Sequence, residues 1–150
     1  MKFDDLAVSF NGSNLRCKLC DDHASRQLGM MGIEHLDPDC GVFFDMGTVG
    51  PVSFWMKNTL VPLDIVALDE QMNVLQVGSM EPHVGKFSFD GPVRYVVEAN
   101  RGWCQAHGVG QGCRMMISSD RELAELVESR SEEHTSELQS HVRTRMPSSA

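Results

Sequence analysis

Nowhere does this sequence gather lysine and arginine into a cluster, and its formal net charge is −8. Phosphate backbones are bound through clustered basic side chains, so nucleic acid is not an expected partner. No apolar run approaches the ~20 residues that a membrane helix needs, so a membrane is not expected either. The N-terminus, Met1-Lys2-Phe3-Asp4-Asp5, sets acids where a signal peptide would carry its apolar segment. The cysteines number five, an odd count that suits a reducing compartment better than a disulfide framework. A cytoplasmic protein is the expectation. Neither a glycine-rich phosphate loop nor a Gly-x-Ser-x-Gly elbow is present, and no pattern asks for a cofactor.

What remains is an ordinary globular composition, 41% hydrophobic and 23% charged over 150 residues. A chain of this length can bury roughly 68–70% of its unfolded surface, enough for a core without staples. The last stretch stands apart. Arg130-Ser131-Glu132-Glu133-His134-Thr135-Ser136-Glu137-Leu138-Gln139-Ser140 resembles the translation of a common short-read sequencing adapter. Arg145-Met146-Pro147-Ser148-Ser149-Ala150 matches the adapter's far end. Residues 130–150 are therefore read as a non-native, disordered tail. The tail holds three basic and three acidic residues, so removing it leaves the charge at −8.

The rest divides into short strands separated by turns. Leu6 to Phe10 and Leu15 to Leu19 flank Asn11-Gly12, two residues that tolerate positive φ, and this predicts a hairpin. Asp21 or Asp22 can cap a helix over His23 to Leu28, ended by Gly29. Gly41 to Phe44 and Val52 to Lys57 read as separate strands, and Asp64 to Leu68 with Val74 to Val77 as a second hairpin. Val93 to Ala99 is a further strand, after which Asn100 caps a short helix over Arg101 to His107. Arg114 to Ile117 gives the last strand, and Ser119-Asp120-Arg121-Glu122 a capping box opening a helix to about Glu128. The prolines are placed between strands or at their ends, because proline lacks the N–H that a ladder uses. The expected fold is mainly β, a small β-sandwich or partly open barrel with two or three short helices. It divides into a single mostly β domain over 1–117, a C-terminal helix over 118–129 and the tail.

Two constellations could carry chemistry. Cys17-Lys18-Leu19-Cys20 matches C-x-x-C, yet it falls in an alternating strand, where residues three apart lie roughly 10 Å from each other. A zinc site needs two more ligands, and no second paired spacing occurs. Buried structural cysteine is the reading, and no metal is expected. The second constellation is Phe54 to Asp64. Trp55 and Lys57 share a strand face, so an ammonium can approach both the ring and a ligand on that face. Asn58 follows at the strand end, with Glu81 and Arg94 as further polar groups near strand ends. Asp64 and Glu98, on neighbouring strands, are the candidate acid and base. The competing reading is that Lys57 and Asp64 form a structural ion pair while Trp55 simply packs. Composition alone favours that one.

Gly50-Pro51-Val52-Ser53-Phe54-Trp55-Met56-Lys57-Asn58-Thr59-Leu60-Val61-Pro62-Leu63-Asp64-Ile65 resembles the signature of domain-of-unknown-function family 192. The resemblance continues through Leu68-Asp69, Glu81-Pro82, the run from Arg94 to Trp103, and His107-Gly108, covering about 15–117. It is looser at the start, where Cys20-Asp21 and Arg26-Gln27-Leu28-Gly29-Met30-Met31 replace the family's Ala-Asp and Arg-Gly-Leu-Met. It implies a compact, mainly β sandwich with short helices and names no activity. C-x-x-C is not part of that pattern. Three functions stay open: a binding module for a small anionic or polyhydroxyl ligand using Trp55, Lys57, Asn58, Glu81 and Arg94; a hydrolase with Asp64 or Glu98 as general base; and a structural or assembly protein. Oligomeric state is not legible.

Overall fold

In the computed structural model, which describes residues 2–118 and 120–132, strands dominate. In chain order the elements are β1 (Leu6–Phe10), β2 (Ser13–Cys20), α1 (His23–Leu28), β3 (Cys40–Trp55), β4 (Leu63–Leu68), β5 (Val74–Met80), β6 (Lys86–Asn100), α2 (Trp103–Ala106), β7 (Met115–Ile117) and α3 (Asp120–Glu132). The seven strands form one sheet in the order β5-β4-β6-β3-β2-β1-β7, curled into a half-barrel. Of the two expected architectures, the partly open barrel is the one formed.

Local chemistry explains most boundaries. Asn11 and Gly12 turn the first hairpin with φ of 54° and 84°. Asp22 caps α1, accepting from Ser25 N at 2.7 Å while its own N–H donates to Ser25 Oγ at 3.2 Å. Gly29 ends the helix at φ 47°, a conformation that calls for glycine, while a Cβ there would only touch the Phe44 ring at 3.4 Å. β2 and β3 run parallel, and α1 with the segment after it makes the crossover between them.

Apolar clusters cover both sides of the sheet. One contains Cys20, Val42, Phe44, Ile65 and Val96; the other contains Phe10, Cys17, Val66, Val97 and Trp103. Cys17 and Cys20, both free thiols, therefore point to opposite faces of β2. At the sheet centre the backbones approach closely. A Cβ on Gly41 would sit 2.4 Å from the Glu98 carbonyl oxygen and 2.8 Å from the Leu15 side chain. Gly41→Ala should therefore lower stability by about 1–3 kcal/mol in urea unfolding. An unchanged midpoint would mean that the ladder spreads freely to admit a methyl group.

Several boundaries differ from expectation. The strands at Gly41 to Phe44 and Val52 to Lys57 are one element, β3, paired with β6 on both sides of an irregular stretch. The register shifts between Asp45 and Gly50 and again between Gly50 and Val52, so the intervening residues bulge rather than turn away. Pro51 lies inside β3 and Pro92 inside β6, both at this irregularity, where a missing N–H breaks no regular ladder. β6 likewise starts earlier than expected, at Lys86. Asn100 is not a helix cap. It is the last residue of β6, and its amide donates to Leu36 O at 2.7 Å and Asp37 O at 3.2 Å. The following helix shrinks to Trp103–Ala106, opened by Gly102 at φ 92° with no side-chain cap of its own. α3 continues to Glu132, past the expected end near Glu128. Ser119 and residues 133–150 lie outside the described residues. No helix among the described residues is long and apolar enough to cross a membrane.

Candidate functional site

A cleft of about 620 Å³ opens between α1 and the end of β3. α1 contributes His23, Arg26 and Gln27, whose i, i+3, i+4 spacing puts them on one helical face. β3 contributes Ser53, Phe54 and Trp55, and the turn after it contributes Lys57 and Asn58. Met31 and Met46 complete the wall. No lining residue is acidic, although the chain carries −8 overall.

The turn is built for this position. Thr59 N donates to Met56 O at 2.9 Å, closing a four-residue turn whose third residue, Asn58, takes φ 57°. Asn accepts that left-handed conformation more readily than most side chains. The Asn58 carbonyl accepts from Gly32 N at 3.0 Å, tying the turn to the chain that follows α1. Trp55 remains 61% exposed, so the reading in which it simply packs does not hold. Lys57 Nζ lies 5.5 Å from its ring centroid and Lys86 Nζ 5.8 Å. Lys86 is the residue opposite Trp55 in the β3–β6 ladder.

Across the cleft, Arg26 is held by Nη1 donating to Asp45 O at 3.0 Å. Asp45 is itself fixed in the β3 bulge. Its carboxylate accepts from Arg94 Nε at 2.9 Å and from Gly47 N at 2.9 Å. Burial pushes this carboxyl upward, but those hydrogen bonds and the charges of Arg94 and Arg26 outweigh it and hold the group below the usual carboxylate range.

Trp55, Lys57 and Asn58 thus come together, while the other sequence candidates do not join them. Arg94 pairs with Asp45, has Glu70 at 3.9 Å, and lies over the Tyr95 ring at 5.3 Å. Glu81 is an exposed partner of Arg101. Asp64 is buried and does not pair with Lys57: it accepts from Ser79 Oγ, Gly102 N and Cys104 N, each at 3.0 Å. Glu98 is buried too, and burial raises its carboxyl from 4.5 to about 8. In the β4–β6 ladder Asp64 faces Ala99, whereas Glu98 faces Ile65. This one-residue offset sends the two carboxyls to opposite sides of the sheet, so they do not form an acid/base pair. His23, Arg26, Gln27, Met31 and Met46 are the lining residues that sequence reasoning did not single out. The polar spacing on α1 was the signal available for three of them.

A curled, mostly antiparallel sheet carrying a basic, aromatic cleft defines a small, mainly β domain. The model of the family DUF192, described as an uncharacterized ACR, matches residues 6–117, and the chain belongs to that family. No curated protein matches the sequence. Among solved structures, one from Sinorhizobium meliloti 1021, described as a "putative transcription regulator", is similar with 31% identity and a TM-score of 0.72. The match covers 75% of this chain and 92% of that one. A protein of unknown function from Novosphingobium aromaticivorans is similar with 25% identity and a TM-score of 0.70, over 73% of this chain and 83% of that one.

Proposed function

We propose that the protein is a binding module whose cleft takes a small anionic or polyhydroxyl ligand. The observation that carries this reading is the lining itself. Three basic side chains, His23, Arg26 and Lys57, meet an exposed indole with no lining carboxylate, on a chain whose charge is strongly negative. The cleft volume lies within the usual ~300–1,000 Å³ of small-molecule sites, and its mix of apolar wall and few polar groups is the usual make-up. Arg94 supports this reading from behind the cleft: it holds the Asp45 carboxylate, and the Asp45 carbonyl accepts from Arg26.

The reading predicts that a carboxylate or inorganic phosphate raises the melting temperature of the wild-type protein, less so as salt increases. Arg26→Ala and Lys57→Ala should each weaken binding about tenfold in calorimetric titration. Anion titrations that give no shift, or variants that bind like wild type, would refute it. A hydrolase using Asp64 or Glu98 finds less support, since both are buried and neither lines the cleft. The role suggested by the description of the Sinorhizobium meliloti relative fits a small-ligand sensor better than a DNA-contacting surface, given the charge of −8.

A further inference from the structure

We infer that the ligand is an aromatic carboxylate: a flat ring stacked on Trp55 whose carboxylate is drawn between Lys57 and Lys86. This rests on the cleft being an anion site and names its ligand class. The first support is the arrangement around the indole. Two ammonium groups lie within 6 Å of a ring that is 61% exposed. Among the described residues, neither has a carboxylate at ion-pair distance. Each cation is attracted to the ring, and an anion placed at the indole is attracted to both. Lys57 lines the cleft and Lys86 borders it opposite Trp55 in the ladder, so a carboxylate at the indole draws on both charges.

The second support is the apolar wall. Met31, Met46 and Phe54 line the same cleft. Thioethers and ring edges make favourable contacts with an aromatic ring, and they give nothing to a bare hydrated anion. A sugar acid would instead need several side-chain donors and acceptors. The neutral polar lining is limited to Gln27, Ser53 and Asn58, and the Ser53 hydroxyl already meets Ser88 Oγ at 3.2 Å. Stacking area and a paired cationic edge thus select a ring over a bare charge, and an aromatic ring over a polyhydroxyl one.

The test is calorimetric titration with 1-naphthoate, glucuronate and inorganic phosphate. 1-Naphthoate should bind at least about tenfold more tightly than the other two. It should quench a tryptophan signal that is missing in Trp55→Leu. Because Trp55 and Lys86 are exposed, Trp55→Leu and Lys86→Met should unfold in urea like the wild type. Trp55→Leu should lose about tenfold in 1-naphthoate affinity and clearly less in phosphate affinity, and Lys86→Met about fivefold in 1-naphthoate affinity. Glucuronate or phosphate binding as tightly as 1-naphthoate would overturn the aromatic class while leaving the anion cleft standing. Unchanged 1-naphthoate affinity in Trp55→Leu would overturn the stacking platform. No binding by any of the three would overturn both the inference and the cleft reading.

Discussion

Glu98→Gln should stabilise the protein by on the order of 4 kcal/mol at about pH 9 and change it little near pH 4. Glu98 is 5% exposed on the face that carries Val42, Ile65 and Val96. Among the described residues, no hydrogen-bond or ion-pair partner meets its carboxyl. Burial therefore raises it from 4.5 to about 8, because the ionised form would lose its hydration with nothing in exchange. Between those values the folded protein holds a proton that the unfolded chain has released. The stability linked to it is complete below about pH 4.5 and is lost as pH rises through about 8, at about 1.4 kcal/mol per unit. Gln is neutral throughout and removes that slope. Glu98→Met should stabilise further by also removing the buried polarity.

Urea midpoints for wild type and variants between about pH 4 and 9 provide the measurement. The buried thiols Cys20 and Cys104, pushed up to about 11 and 12, add their own loss at alkaline pH. The Cys104 loss is common to wild type and variant, and the Cys20 loss differs only by the push that the Glu98 charge adds, so up to about pH 9 the difference between them reports chiefly Glu98. A wild-type profile that stays flat from about pH 5 to 8 would contradict a lone neutral acid at this position.

Asp64→Ala should destabilise by about 3–5 kcal/mol, with Asp64→Asn intermediate. Asp64 caps α2 from a distance. Gly102, the residue before that helix, has no side-chain cap of its own. The Asp64 carboxylate accepts from Gly102 N and Cys104 N, and Ser79 Oγ adds a third bond. Alanine would leave the buried Cys104 N–H with no acceptor in its place. Asparagine keeps one oxygen for the two N–H groups and can donate its NH₂ to the Ser79 hydroxyl, but it loses the charge that strengthens all three bonds. The charge also bears on Cys104, whose thiol is raised first by burial and next by Asp64. Hydrogen exchange at Gly102 and Cys104 should accelerate in both variants more than exchange at β4. Affinity for cleft ligands should stay unchanged. If stability held while ligand affinity collapsed, Asp64 would belong to the site and not to the scaffold.

The parts of the fold legible in the sequence were those decided by neighbouring residues. Asn11-Gly12 act through their own backbone and Asp22 through a side chain that reaches three residues along, so the first hairpin and α1 could be read directly. The merging of β3 could not, because Gly47, Gly50 and Pro51 look like punctuation, and only pairing with β6 makes them a bulge. The candidate site divides in the same way. Trp55, Lys57 and Asn58 are neighbours in sequence and remain together in the cleft. Asp64 and Glu98 were separated by register, which is set across strands and leaves no mark within either one. Arg26 reached the cleft through the parallel crossover between β2 and β3, a relation that local periodicity does not contain.

The β3–β6 ladder also bears on how quickly the protein folds. It joins Gly41 to Ala99 and Trp55 to Lys86 at the middle of the sheet. The β1–β2 and β4–β5 hairpins close short loops, on a timescale of roughly microseconds. The central ladder must bring together distant parts of the chain before its contacts offset the lost entropy. Such topology belongs with domains that fold in roughly milliseconds to seconds. Any hairpin that forms ahead of the central ladder carries open edges, which are sites for self-association until the central strands meet.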